Sequence, residues 1–251
     1  MAQMVGDKTA LVIGAGGLGA PAALVLASAG VGRILIVDDD VVETSNLNRQ
    51  PVFAEADLGA RKAVTAGRRL ARLFPTVKVE GLDRRFDEAS APELVAGVDV
   101  VIDGSDNFAT KFLANDATVA AGKVLVHGGI LRYTAQFLTV IPGTTGCVRC
   151  LFEAPPPPGA VPSCADAGVL GPLAGFAGSL MGAEAARVLA GERGTYAGRL
   201  LVYEARAARS RTVLVPRRVG CTACAAAPRP PEPPVAVEEA PPPEALPGGQ
   251  A

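Results

Sequence analysis

A short apolar run ending at Ile13 leads straight into Gly14-Ala15-Gly16-Gly17-Leu18-Gly19, and a small-residue helix is predicted over residues 18–29. Glycines gather in this way where a strand turns sharply into a helix and phosphate oxygens must touch backbone N–H groups. The helix N-terminus adds a positive field. Asp38 closes the next β-branched run, residues 33–37, and stands 19 residues beyond Gly19, the spacing of a carboxylate that holds ribose hydroxyls. The chain therefore opens as a strand–helix–strand nucleotide site. An NAD dehydrogenase would open alike, and a glycine turn can be purely structural, so the turn alone does not name the nucleotide.

Further strands are predicted at residues 77–82, 98–102 and 124–128, with helices at 59–73, 91–96 and 108–121. Strand–helix alternation with short connections predicts an α/β fold, a Rossmann-like doubly wound and mostly parallel sheet. Residues 133–141 read as an additional, antiparallel strand. Residues 153–162 are a Pro-rich loop. The uncharged stretch 167–183 carries Gly171/Gly175 and Gly178/Gly182, small residues four apart that let a helix approach a neighbour closely. Pro172 interrupts it and Glu184 and Arg187 follow, so it reads as a buried or subunit-contact helix and not as a membrane span. Nine of the 21 prolines lie between positions 228 and 247. The reading is a folded domain over residues 1–225 and a disordered Pro/Ala/Glu-rich tail over 226–251.

Composition narrows the partners. Hydrophobic residues make up 49% of the 251, enough for a real core, and the net charge of −1 argues against nucleic acid or an anionic membrane as the main partner. The first seven residues lack the basic and apolar regions of a secretory signal, which points to the cytoplasm.

What lies beyond Asp38 suits a triphosphate better than a dinucleotide. Thr44-Ser45-Asn46-Leu47-Asn48-Arg49-Gln50 follows at once, and Lys62 begins the next helix. Arginine offers phosphate a planar fork and lysine a point charge. Asp103-Gly104-Ser105-Asp106-Asn107 ends a strand at the edge where ligands bind, and a carboxylate there can hold Mg²⁺ against phosphate oxygens. The plainer alternatives are solvated charges at Arg49 and Lys62, and Asp106 as the cap of the helix that starts at Phe108.

Five cysteines divide into four and one. Cys147-Val148-Arg149-Cys150 and Cys221-Thr222-Ala223-Cys224 are two C-x₂-C pairs about 70 residues apart, a pattern that fits tetrahedral Zn²⁺ better than disulfides or redox chemistry. The ion would clip the C-terminal end of the domain back onto it. Cys164 is left over, between the Pro-rich loop and the long small-residue helix. It reads either as a thiol favoured by a helix start or as an inert packing residue.

With these residues assembled, the chain resembles the ThiF/MoeB/HesA family, bacterial relatives of ubiquitin-activating enzymes, over roughly Lys8 to Cys224. The resemblance rests on GAGGLG, DDD…SNLNRQ, LGARKA, DGSDN, the paired C-x₂-C and SCADAGVLGPLAG. It implies binding of ATP and Mg²⁺ and adenylation of the C-terminal Gly-Gly carboxylate of a small ubiquitin-like sulfur-carrier protein. Gly14, Gly16, Gly17 and Gly19 would form the phosphate turn and Asp38 would hold the ribose. Asn46, Arg49 and Lys62 would contact the triphosphate, and Asp106, with Asn107 beside it, would hold Mg²⁺. Arg49, Lys62 and Asp106 would carry the chemistry, with Cys164 at the position some members use for a covalent sulfur step. His127 has no role in that pattern and reads as structural. The family is usually dimeric, so a homodimer is expected. Sulfur would come from a separate sulfurtransferase or cysteine desulfurase, since no rhodanese segment follows the second cysteine pair. Only eight residues precede the first strand, where relatives carry a helix whose Arg reaches the partner subunit's ATP. A catalytically weak homologue that keeps nucleotide and carrier binding is the alternative.

Overall fold

The computed structural model describes residues 5–157, 159–162 and 167–226. Cys164 and all but the first residue of the proposed tail lie outside them. The chain forms one eight-stranded sheet of order β3-β2-β1-β4-β5-β6-β7-β8. Its strands are β1 (Thr9–Ile13), β2 (Arg33–Val37), β3 (Lys78–Leu82), β4 (Val100–Asp103), β5 (Val124–Leu131), β6 (Thr134–Val140), β7 (Arg199–Glu204) and β8 (Arg209–Leu214). The first five run parallel, and β6, β7 and β8 each pair antiparallel with the strand before. This is the expected doubly wound sheet with an antiparallel extension.

Helices α1 (Gly19–Ser28), α2 (Lys62–Leu73), α3 (Ala91–Ala96), α4 (Phe108–Ala121), α5 (Val148–Leu151) and α6 (Gly171–Leu189) cover the two faces. The period of two in a strand sorts the core. Val12, Ile34, Ile36 and Ile102 pack with Leu26 of α1, Leu70 of α2 and Met181 of α6. Leu11, Leu35, Val101 and Leu125 face the other way, toward Leu94 of α3, Val119 of α4 and the cysteines Cys147, Cys221 and Cys224. Both faces of the inner strands are covered, which is why they read as unbroken apolar runs.

The small residues of α6 serve the chain's own packing. A Cβ on Gly178 would stand 2.3 Å from the carbonyl oxygen of Leu18, and one on Gly182 would stand 2.6 Å from that of Ala22. Close approach of α6 to α1 therefore requires glycine at both positions. Among the described residues no helix is long and apolar enough to cross a membrane.

Several elements differ from the expected bounds, β4 among them, which spans Val100–Asp103 and not 98–102. Helix α2 begins at Lys62 and not at 59, because Gly59 is left-handed (φ 79°) and residues 55–57 form a separate 3₁₀ turn. Strand β5 runs on to Leu131 because it pairs with β6 down to the hairpin tip. The β7–β8 hairpin has no clear sequence signal, since every residue of β8 is exposed and nothing in it alternates.

Candidate active site

Strand order reverses between β1 and β4, and ligands of such sheets bind beyond the strand ends at that point. Here the two strand ends are closely fitted. Gly14 is left-handed (φ 88°) and donates its N–H to Val37 O at 2.8 Å, while Gly104 donates to Ile13 O at 2.9 Å. A Cβ on Gly19 would lie 1.8 Å from the Gly14 carbonyl oxygen, so only glycine lets α1 start this close to the strand. Above the turn opens a cavity of about 470 Å³. Gly14, Gly16 and Gly17 form one wall; Gly19 is used for packing beneath it.

Asp38, Arg49, Lys62 and Asp106 also line this cavity. Asp38 accepts the N–H of Ala15 at 2.7 Å and of Asp40 at 2.8 Å. Burial raises its pKa, and these two N–H groups work against the rise. Lys62 is buried, with Nζ 2.9 Å from Asp40 Oδ2, so it is not a solvated charge. Arg49 Nη1 donates to Ser45 O at 2.8 Å and Asn48 Oδ1 at 3.1 Å, which braces the guanidinium beside the turn. Gln50, unassigned in the sequence reading, lines the cavity at 4% exposure and leaves its buried Oε1 without a partner. An orphaned polar atom in a cavity wall fits a site built for a polar ligand.

Asn46 and Asn107 are placed differently from the other predicted contacts. Asn46 is buried and accepts the Glu43 N–H at 3.1 Å, stapling the 3₁₀ turn outside the cavity wall. Asn107 accepts the Thr110 N–H at 2.9 Å and so caps α4, the task considered for Asp106. That leaves Asp106 exposed, with no hydrogen bond or ion pair to the described residues, facing both the large cavity and an adjoining cleft of about 250 Å³.

Sequence reasoning missed the group beneath the cavity floor. Asp103 is fully buried, 2.8 Å from His127 Nδ1 and 3.3 Å from Lys111 Nζ, and its other oxygen accepts the Ser105 N–H and hydroxyl. Burial would raise the Asp103 pKa, but Lys111, His127 and Ser105 outweigh it and hold the carboxyl well below the usual range. Burial lowers the His127 pKa, opposed by Asp103 and assisted by Lys111, which disfavours the imidazolium. His127, read from the sequence as structural, is tied to Asp103 and its ring also lines the cavity. Because Ser105 hangs from Asp103, this cluster sets the loop that carries Asp106.

Lys111→Met should cost about 3–5 kcal/mol, because Asp103 would be left with an uncompensated buried charge. His127 then offers partial relief. Without Lys111 its folded pKa rises, so it adds stability at low pH that is lost as pH climbs through that value. Denaturant titrations of the variant should show a larger loss at pH 8 than at pH 6. Equal losses would mean that His127 stays neutral.

The four paired cysteines converge within the second core layer, with their sulfurs all within 4.8 Å of one another. Cys147 and Cys221 are 3.7 Å apart, Cys150 and Cys224 3.4 Å, and Cys147 and Cys150 3.9 Å. Tetrahedral zinc with bonds of ~2.3 Å separates its sulfurs by about 3.8 Å, so the set fits that ion. Burial, then the neighbouring Cys150, pushes the Cys147 thiol up; a divalent cation among the sulfurs would supply the charge that reverses this.

Comparison with known proteins follows the same outline. The ThiF family matches residues 3–223. The chain is 47% identical over 219 residues to the sulfur carrier protein adenylyltransferase of Thermus thermophilus, covering 85% of this chain and 81% of that protein. It is 46% identical over 214 residues to the SAMP-activating enzyme E1 of Haloferax volcanii, covering 85% and 79%. Among solved structures, Escherichia coli MccB shares the fold with a TM-score of 0.79 over 89% of this chain and 68% of that one, at 21% identity. With a glycine-walled cavity at the sheet's switch point, a four-cysteine cluster and this extent of similarity, the chain belongs to the ThiF family.

Proposed function

We propose that this protein uses ATP to adenylate the C-terminal carboxylate of a small ubiquitin-like sulfur-carrier protein ending in Gly-Gly. The carrying observation is that one cavity has two chemically different halves. The glycine turn, Asp38, Arg49 and Lys62 form a half suited to a nucleotide, and Phe108, Phe112, Phe152 and Ile130 form an apolar half suited to a peptide. The names of the Thermus and Haloferax relatives support the same reaction.

In this reading the turn's N–H groups and Arg49 hold the phosphates, and Asp38 takes the ribose. The tail's carboxylate oxygen forms a bond to the α-phosphorus as the bond from that phosphorus to the bridging oxygen breaks, and pyrophosphate leaves. No proton need be removed from a carboxylate, so cations and positioning carry the rate. Asp106 would hold Mg²⁺, which neutralises charge on the phosphates. The four cysteines would hold Zn²⁺ as a structural ion. A sulfur nucleophile supplied by a sulfurtransferase or desulfurase would then form a bond to the acyl-adenylate's carbonyl carbon as the bond to AMP breaks and AMP leaves.

The test is ATP–pyrophosphate exchange with purified carriers. Exchange should appear only when a carrier ending in Gly-Gly is present and vanish when its last two residues are removed. Nucleotide binding without exchange for every such carrier would favour the catalytically weak alternative. Cys164→Ala should keep exchange within about twofold, because adenylation uses no thiol. Loss of exchange in that variant, still folded, would place the thiol in the first step.

A further inference from the structure

Two described non-glycine residues have left-handed backbone, Arg132 (φ 54°) and Ala208 (φ 49°). Glycine adopts that conformation freely, whereas other L-residues bear a steric cost. Each sits at a hairpin tip, Arg132 between β5 and β6 and Ala208 between β7 and β8. Ala208 is exposed in a turn that does not border the cavity, and turn geometry accounts for it. Arg132 lies at the mouth of the large cavity. Its backbone is strapped on both sides, with its N–H donated to Gly168 O at 3.0 Å and its carbonyl accepting the Leu170 N–H at 2.9 Å. The tip is therefore held rigidly against the chain that leads into α6.

Among the described residues four cations border the cavity. Lys62 is paired with Asp40, Lys111 with Asp103, and Arg49 is braced by Ser45 and Asn48. The Arg132 guanidinium has no hydrogen-bond or ion-pair partner among the described residues. A strained backbone position at a cavity, keeping a long cationic side chain that no described residue pairs with, points to a ligand. The chemistry of a Gly-Gly tail identifies that ligand. Such a tail has no side chains, so it can be recognised only through carbonyls, N–H groups and its terminal carboxylate. The carboxylate must go inward to the α-phosphate, which leaves the carbonyls at the mouth, opposite a group with five donors and no acceptor.

We propose that Arg132 grips the carrier's extended tail at the cavity mouth by donating to its backbone carbonyls, and so sets affinity for the carrier and not for ATP. This rests on the adenylation reading above. The experiment compares wild-type protein with R132G, R132K and A208G, measuring KM for carrier, KM for ATP and kcat in pyrophosphate exchange, with melting temperatures alongside. R132G keeps the backbone conformation without its cost, so it should melt at or above the wild type, as should A208G. R132G should raise the carrier KM tenfold or more with ATP KM and kcat within twofold, and R132K should recover part of that loss. A208G should change neither KM. An unchanged carrier KM in R132G, or an equal rise in both KM values, overturns the tail contact while leaving the adenylation reading intact. Absence of carrier-dependent exchange in the wild type removes both.

Discussion

Replacing Asp106 by alanine should lower pyrophosphate exchange by on the order of 10²–10³-fold, as removal of a charge-stabilising group at a reacting centre does. The variant should melt within about 1 °C of the wild type, because an exposed side chain without internal partners contributes little to stability. Asn107, not Asp106, caps α4, so the helix start survives the change. The loop itself hangs from Asp103 through the Ser105 N–H and hydroxyl, which the substitution does not touch. Asp106→Asn keeps the shape and loses the charge, and should be nearly as inactive if the carboxylate holds Mg²⁺. Near-normal exchange in either variant would remove its assigned role. Loss of exchange accompanied by a large fall in melting temperature would make the residue structural instead.

How much of this site could be read from the sequence follows from how local each part is. The glycine turn and Asp38 are legible because strand, turn and helix are contiguous, and because covalent spacing alone brings Asp38 back to the first turn. Both are in the cavity wall. The floor cluster was not legible. Asp103, Lys111 and His127 lie on β4, α4 and β5, and only the parallel register that sets Asp103 opposite His127 brings them together. A lone histidine at a strand end carries no sign of that partner. The capping role fell on Asn107 because neighbouring Asp and Asn are equivalent caps in sequence, and backbone geometry selects between them. Glycines four apart in α6 did signal close approach, but spacing cannot name the neighbour, which is α1. Strand β8 was invisible because it buries neither face, so it shows neither the alternation of a half-buried strand nor the apolar run of a fully buried one.

Losing the ion proposed for the four cysteines should destabilise the protein about as much as losing Lys111 does. The second cysteine pair lies beyond β8, where polar contacts tie the chain to the first pair's segment: Arg217 donates to Gly143 O at 2.7 Å and to Cys224 O at 2.6 Å, Arg218 pairs with Glu153, and the Arg218 N–H points to Cys150 Sγ at 3.3 Å. Cys147, Cys221 and Cys224 are 0%, 2% and 1% exposed and Cys150 is half-buried, so without an ion only weak thiol contacts join the four sulfurs. Cys221→Ser should therefore abolish a stoichiometric zinc content of one per chain and cost roughly 3–5 kcal/mol, with melting falling by about 10 °C. The loss should also reach the active site by a short path. Val148, between the first two cysteines, lines the cavity and donates its N–H to Asn115 Oδ1 on α4 at 2.8 Å. Arg149 forms a fork with Asp116 and stands 4.9 Å above the ring of Phe112, another wall residue of the apolar half. Loosening this knuckle disturbs the half of the cavity assigned to the carrier's tail and leaves the glycine turn alone. A chelated but still folded protein should accordingly show a higher KM for carrier with ATP affinity retained. Unchanged melting and exchange after exhaustive chelation, with zinc absent from the protein, would mean that the four sulfurs are packed as thiols and need no metal.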